Sequence, residues 1–468
     1  MKQTKIIAIV VLAATLSSCD DKKTPEIEPT ALAGPTVTVG DITENSAVLS
    51  WDKVENSTGY EYKCQGPFNV VSEAKVGADI VTTTIENLAP DTEYVFQVKA
   101  VGDGEIHLDS DWKETRFVTT AHVPTYVEFA DAVFKDFIFS MTPAVDVDND
   151  GVISFEEAAA VKEINAGFED KESATDDKTF TNLAGLQYFT SLETLNLKYH
   201  RVTNAAPVEG LSTLKSLNLG ENPISTLDIS KLVNLTDLRL YGTNISTLDL
   251  GKAPLITTLY LQRTALTDLD LTPLANLEEA AINNAKLKTL KAVGLSKLTR
   301  LDAVANELSS VEIKDCGSLQ QLHLNTNKLT SLDIKGLSKL IILNVYGNEL
   351  TSVDLSGAPR LLMLFINDNK LESLKLSSNR LLSQLYASNN PLKKLDLGFN
   401  SNIAVLEAEN MPSLEEINLQ NDYCDDFAEY YIVKGNTALR TVIVDEGYEY
   451  DYVSGLFKNV PTVSVVTE

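Results

Sequence analysis

From Leu214 onward an apolar residue opens a new unit every 21 residues, at Leu214, Leu235, Ile256, Leu277, Leu298, Leu319, Leu340, Leu361, Leu382 and Ile403. An earlier unit opens at Leu192. Each unit follows L-x-x-L-x-L-x-x-N-x-L-x-x-L-D-L, as residues 319–334 do. A unit this short cannot bury its own leucines. They can be covered only by the units before and after, stacked into a solenoid around one continuous apolar column.

Residues 191–420 therefore read as a leucine-rich-repeat solenoid. Two L-x-L segments fall about ten residues apart in every unit, so each unit comprises two half-turns, each able to supply a short parallel strand. The Asn at the ninth place (Asn222, Asn306, Asn327, Asn348, Asn369, Asn390) is suited to bond backbone groups in the bend, because buried loop amides need partners. Thr243, Thr264, Ala285 and Met411 replace it elsewhere, and those bends are expected to be less well satisfied. After Ile403 the repeats fray, and Leu414-Glu-Glu-Ile417-Asn-Leu419 restarts the register. Residues 421–468, beginning NDYCDDFAEYY, have the composition of a C-terminal cap.

In a strand written L-x-L the middle residue points away from the leucine core. One exposed column then runs through Asn218, Arg239, Tyr260, Ala281, Asp302, His323, Asn344, Phe365, Tyr386 and Glu407. Flanking columns add Ile342 and Met363 on one side, and Tyr241, Tyr346 and Asn367 on the other. The candidate ligand-binding residues are Tyr260, Ile342, Asn344, Tyr346, Met363, Phe365, Asn367 and Tyr386: aromatic faces bury apolar area and Asn supplies directional hydrogen bonds. The same aromatics could equally support cross-strand packing. On the opposite side a column of Asp228, Asp249, Asp270, Lys291, Glu312, Asp333, Asp354, Lys375 and Asp396 reads as a solvated structural face.

Residues 146–157 read DVDNDGVISFEE. Asp146, Asp148 and Asp150 at alternate places, Gly151 at the sixth, Ser154 at the ninth and Glu157 at the twelfth match the EF-hand loop, with Val152 contributing only its carbonyl. A hard divalent cation needs six to eight oxygens, which carboxylates at this spacing can fold inward to supply. Amphipathic runs flank the loop at 127–139 and 154–164, so 125–190 read as a helical, EF-hand-like cap on the solenoid. A single loop of this kind implies a structural calcium ion held at a weak, extracellular-module affinity of about 10⁻⁴ to 10⁻³ M.

Residues 35–120 alternate apolar and polar in short runs, as an antiparallel sandwich requires. Trp51, the segment Leu88-x-Pro90-x-Thr92-x-Tyr94 and Ser110-Asp-Trp112 resemble a fibronectin type III domain, with Tyr94 and both tryptophans expected in its core. At the start of the chain, Lys2 and Lys5 precede an apolar run at 6–16 that is too short to span a bilayer, so 1–18 read as a signal peptide. Leu16-Ser17-Ser18-Cys19 resembles the bacterial lipobox, which implies lipidation of Cys19, and 19–34 read as a tether. Asp20-Asp21 resembles the export signal of Bacteroidetes surface lipoproteins, which implies an outer-membrane lipoprotein facing the exterior. In other Gram-negative groups the same Asp implies inner-membrane retention, and the sequence leaves the two open.

The 66 Asp and Glu outnumber the 39 Lys and Arg, for a net charge of −27, and no Lys/Arg-rich run offsets this; nucleic acid is excluded as a partner. Cys19, Cys64, Cys316 and Cys424 are too scattered for a disulfide framework, and Cys316 and Cys424 lie roughly 24 Å apart along the stack. Four histidines show no metal-ligand spacing, and nucleophile-elbow, Walker and zincin motifs are absent, so the chain reads as a non-enzyme. The carboxylate pairs Glu278-Glu279 and Glu415-Glu416 give slight support to a glycan hydrolase, since adjacent strand residues point to opposite faces.

The repeat resembles the 21-residue IRREKO type, and the cap-plus-repeat run resembles internalin-like Bacteroidetes lipoproteins. That resemblance implies a cell-surface adhesion or recognition protein binding a macromolecule, foremost a protein, on a host or bacterial surface. Glycan capture for polysaccharide uptake is the alternative. The membrane is reached through the lipid anchor alone.

Overall fold

The computed structural model describes residues 28–421, 430–458 and 462–467. The signal peptide, Cys19, Asp20-Asp21, most of the tether, Cys424 and the NDYCDDFAEYY segment after Asn421 up to Glu429 lie outside the described residues. The chain divides into two units, Met1–Pro124 and Thr125–Glu468. Among the described residues no helix is long and apolar enough to cross a membrane.

The first unit is a sandwich of two antiparallel sheets. One pairs Val37–Ile42, Ser46–Trp51 and Thr82–Glu86; the other orders Val70–Gly77, Gly59–Gln65, Glu93–Val101 and Lys113–Val118. Strict alternation puts Ala47, Leu49 and Trp51 inward from one sheet and Tyr94, Phe96, Val98 and Ala100 from the other. The ring of Trp51 lies 6.0 Å from Phe96, and Tyr62 lies 5.6 Å from it. The Tyr94 hydroxyl accepts the Ala89 N–H at 2.8 Å, closing a tyrosine corner. Trp112 departs from expectation: it is 39% exposed and lies beneath the ammonium groups of Lys63 and Lys99 rather than in the core. Thr30–Ala31, within the stretch read as tether, pairs in parallel with His107–Leu108.

The second unit begins with a cap. Helix Ala132–Ser140 is capped by Asp131, whose Oδ1 accepts from Val133 N and Phe134 N while Oδ2 accepts from Thr181 N. It buries Phe134 and Ile138, with Phe134 5.0 Å from Phe180. The second flank is shorter than its amphipathic pattern suggests: helix Phe155–Ala160 ends at once, and Glu163–Asn165 is already the first strand of the solenoid. Ile164 pairs with Leu195 in that register, which the leucine column rewards more than another helical turn would.

The solenoid's main sheet runs in parallel from Glu163–Asn165 to Tyr430–Ile432. From Ser216 to Val405 every neighbour is offset by the sequence period, so Leu217, Leu238, Leu259, Ala280, Leu301, Leu322, Leu343, Leu364, Leu385 and Leu406 stack as one fully buried column. Among the described residues the second half-turn forms paired strands at Asp268–Asp270, Thr289–Val293 and Ser310–Lys314, and again near the C-terminus. There the expectation of fraying fails. Glu416–Asn418 is the second half-turn of the unit opened by Ile403, pairing with Lys394–Asp396, and residues 430–443 add a further turn before helix Tyr448–Phe457. The two L-x-L segments of a unit look alike in sequence, so a second half-turn passes for a new beginning.

Where a bend carries the ninth-place Asn, that residue is buried. Asn348 is typical: Nδ2 donates to Leu324 O and Val345 O, each at 3.0 Å, and Oδ1 accepts from Leu329 N at 3.0 Å. Thr243 and Thr264 keep only the local bond, to Leu240 O and Leu261 O, which bears out part of the expected deficit. The eighth place holds a left-handed backbone whatever the residue: Glu221, Arg263, Ala305, Thr326 and Asp368 all have φ between 52° and 59°.

Candidate functional site

Two regions carry the residues singled out above. In the acidic loop, Gly151 adopts φ +86°, and three carboxylates cap the turn: Asp146 Oδ2 accepts from Gly151 N, Asp148 Oδ1 from Asp150 N and Asp150 Oδ1 from Val152 N. Glu157 folds back from its helix, with Oε1 accepting from Val147 N at 2.7 Å and Oε2 from Ser154 N and Oγ at 2.9 Å. The Ser154 N–H, followed by that of Val147, holds the Glu157 carboxyl below its ordinary range.

One oxygen each of Asp146, Asp148 and Glu157 lies within 4.8 Å of the others, and Asp146 Oδ1 is enclosed without a hydrogen-bond partner in the protein. Asp150 stays out of that group, and the Ser154 hydroxyl is committed to the capping box. Of the four expected carboxylate ligands, Asp146, Asp148 and Glu157 are thus brought together and Asp150 is not. A hard cation fits the orphaned oxygen and the acceptor-only donor set. Beside the loop a cleft of about 790 Å³ lies between residues 141–145 and the edge strand, with Phe137, Val161 and Glu157 in its wall.

The second region is the outer face of the main sheet. Its three-residue strands bury the central leucine and turn the residue on either side of it outward, as expected. The face is less exposed than its sequence suggests, because neighbouring turns stand only about 4.8 Å apart and cover one another. Ile342, Asn344, Met363, Phe365, Asn367 and Tyr386 are half-buried, and Tyr346 is 37% exposed. Phe365 and Tyr386 stack with centroids 4.6 Å apart and planes 9° from parallel. The Asn367 amide donates to Asp368 Oδ2, and Asn344 Oδ1 accepts from Tyr346 N. Tyr260 is four turns away from the Ile342 turn and belongs to a different group: the Arg239 guanidinium lies over its ring at 5.0 Å, and burial, then Glu279, raises its phenol pKa.

Sequence reasoning placed Ala281 and Asp302 in an exposed column, but both are buried. Asp302 Oδ2 accepts from Arg300 Nε at 3.0 Å and Nη2 at 2.8 Å, while its Oδ1 has no hydrogen-bond partner. The signal available in the sequence is the opposite charge two residues away on the same strand, Arg300 beside Asp302, which Asp237 and Arg239 already show three turns earlier. On the opposite side, Asp228, Asp249, Asp270, Asp333, Asp354 and Asp396 each accept the backbone N–H two residues on, so this column caps bends.

Comparison with known proteins follows the same division. Residues 29–111 match the fibronectin type III domain family. The functional domain of InlJ from Listeria monocytogenes, described as including a cysteine ladder, is 22% identical with a TM-score of 0.55, covering 68% of this chain and 74% of that one. An internalin, InlF, from the same organism is 20% identical at a TM-score of 0.44, covering 65% and 99%. The fn3 domain of human collagen alpha-1(XX) is 22% identical over 20% of this chain and 89% of its own, at a TM-score of 0.18. No curated protein matches the chain. Among the described residues of the solenoid the buried polar column is asparagine, and Cys316 is the one cysteine, in a bend of the other side. The chain joins a fibronectin type III domain to an internalin-like leucine-rich-repeat solenoid.

Proposed function

We propose that the chain is a lipid-anchored, cell-surface recognition protein whose solenoid face, centred on Phe365 and Tyr386, contacts a protein partner. The observation that carries this reading is a half-buried apolar patch made of two in-register pairs in neighbouring columns, Ile342 with Met363 and Phe365 with Tyr386, with Tyr346 protruding beside it. Such a patch offers rigid contact area at low entropic cost. Protein is favoured over glycan because Phe365 and Tyr386 turn their faces to each other, leaving ring edges outward, whereas a sugar ring stacks on a free face. In this reading Cys19 carries the acyl anchor, and calcium bound by Asp146, Asp148 and Glu157, with Asp150, Val152 and Ser154 completing the shell, stiffens the cap.

Binding of the chain to matched panels of extracellular proteins and glycans, in millimolar calcium, tests the proposal. A protein partner lost by a Tyr346/Phe365/Tyr386 triple-alanine variant supports it, and a glycan lost by the same variant replaces it with sugar capture. Protease treatment of intact cells tests the location: the proposal requires removal of the ectodomain, and full protection contradicts it.

A further inference from the structure

The middle turns of the strand face hold two acceptor oxygens that nothing among the described residues satisfies. Asp302 is 8% exposed and Asn325 is 5% exposed, yet Asp302 Oδ1 and Asn325 Oδ1 are both enclosed without a hydrogen-bond partner. Asp302 pairs directly with His323 on the next strand, and Asn325 follows two residues on, just past that strand's end, so the register sets the two residues diagonally on adjacent turns. An enclosed acceptor without a donor is costly, and a charged one more so.

The surroundings define what would satisfy them. Arg300 already serves Asp302 through Oδ2, and its Nε also lies 3.9 Å from Glu279 Oε1, so one guanidinium faces two carboxylates. Burial, followed by the opposing influence of Asp302, leaves the His323 imidazole below its ordinary range, and the group carries a net negative charge. His323 Nε2 is 3.9 Å from Asp302 Oδ1, beyond hydrogen-bond reach, and the half-buried ring shields that oxygen. A rotamer change of one surface imidazole opens it. In the following turn Ile342 gives the same face an apolar side chain. A negative, acceptor-only centre beside an apolar surface matches a side chain that ends in a cationic donor and has an apolar stem. Two oxygens fall far short of a hard cation's shell, and a neutral hydroxyl would leave the charge uncompensated.

We propose that Asp302, His323 and Asn325 form a subsite for the cationic head of a lysine or arginine side chain of a protein partner, with His323 as its cover. The subsite rests on the reading of the strand face as a recognition surface and names the partner's chemistry there.

The chain has four histidines, so selective ¹³C-histidine labelling yields four ring signals, with His323 assigned through His323→Gln. The probes are methylguanidinium and n-butylammonium, compared with methylurea, N-acetylglucosamine and calcium. The expected result is a saturable shift of the His323 signal by both cations in the millimolar range, about tenfold weaker with methylurea. Asp302→Asn abolishes it and Asn325→Ala weakens it several-fold, while the other three signals report an intact fold. Absence of a saturable shift with either cation, an unchanged response in Asp302→Asn, or a response to the sugar or calcium alone overturns the subsite. Partner binding that depends on Phe365 and Tyr386 while His323 stays silent overturns the subsite and leaves the proposed function standing. A cation response without any partner that depends on this face overturns the proposed function instead.

Discussion

His200 stands one turn before Asn222 in the same bend and accepts the same kind of backbone donor. Phe180 N reaches His200 Nδ1 at 3.3 Å, and Val202 N reaches Asn222 Oδ1 at 3.0 Å. The other ring nitrogen, Nε2, donates to Ala166 O at 2.9 Å. The ring thus takes the place of the ladder amide at the cap, stacked 3.7 Å from Phe180.

That arrangement requires neutral imidazole, because a proton on Nδ1 would face the Phe180 N–H. Burial lowers the His200 pKa to about 4. The unfolded chain therefore binds a proton that the folded chain refuses as the pH falls from about 6.5 towards 4. The associated stability is fully present above about pH 6.5 and lost through that window, about 3 kcal/mol when complete. Denaturant melts at pH 7 and pH 4.5 should show the solenoid losing stability, with a smaller loss in His200→Gln; equal losses in both proteins would refute the assignment.

Asn348→Ala removes the bonds to Leu324 O, Val345 O and Leu329 N; the two carbonyls keep Asn327 Nδ2 and Asn369 Nδ2, and Leu329 N loses its acceptor. The expected cost is about 1–3 kcal/mol, read as a lower urea midpoint. A loss of only a few tenths would mean that the amide ladder is not what satisfies the bends.

Thr326 holds φ at 58°, a conformation that a β-branched residue adopts only under strain, and its exposed side chain lies outside the leucine column. Thr326→Gly should stabilise the solenoid by roughly 0.5–1 kcal/mol, the relief of strain being partly offset by the greater freedom of the unfolded chain. Destabilisation in the same urea melt would show that the side chain contributes contacts outweighing the strain.

Asp146→Ala removes the carboxylate with the orphaned oxygen. With calcium at about ten times its dissociation constant, the wild-type chain should gain about 1.4 kcal/mol over its chelated state, and the variant nothing. Thermal melts with calcium or chelator read the difference directly. Equal losses with and without calcium would assign Asp146 a role only in capping the Gly151 turn.

The period of the leucines, and with it the register from Ser216 to Val405, was legible because each unit must cover the next. The sandwich was legible from its alternation, and Tyr94 from its corner. Trp112 was misread because a large ring reads as core until its neighbours, Lys63 and Lys99, are seen to cover it from outside. The eighth-place bend was only partly legible: Gly242, Asn284, Gly347, Asn389 and Asn410 suit its left-handed backbone, but Glu221, Arg263, Ala305, Thr326 and Asp368 adopt the same backbone without signalling it. His200 escaped notice because it departs from the consensus while keeping the hydrogen-bond role. The enclosure of Asp302 depends on side chains one turn away in space and 21 residues away in sequence, which a strand pattern does not register.

The most direct measurement compares partner affinity for a Phe365→Ala/Tyr386→Ala variant with that for Glu312→Gln, a control on the opposite side of the solenoid. Surface plasmon resonance in millimolar calcium should show the first variant weakened at least about tenfold, as loss of a central aromatic anchor requires, and the second unchanged. Full affinity in the aromatic variant with its fold intact, or equal losses in both, would contradict recognition through the strand face.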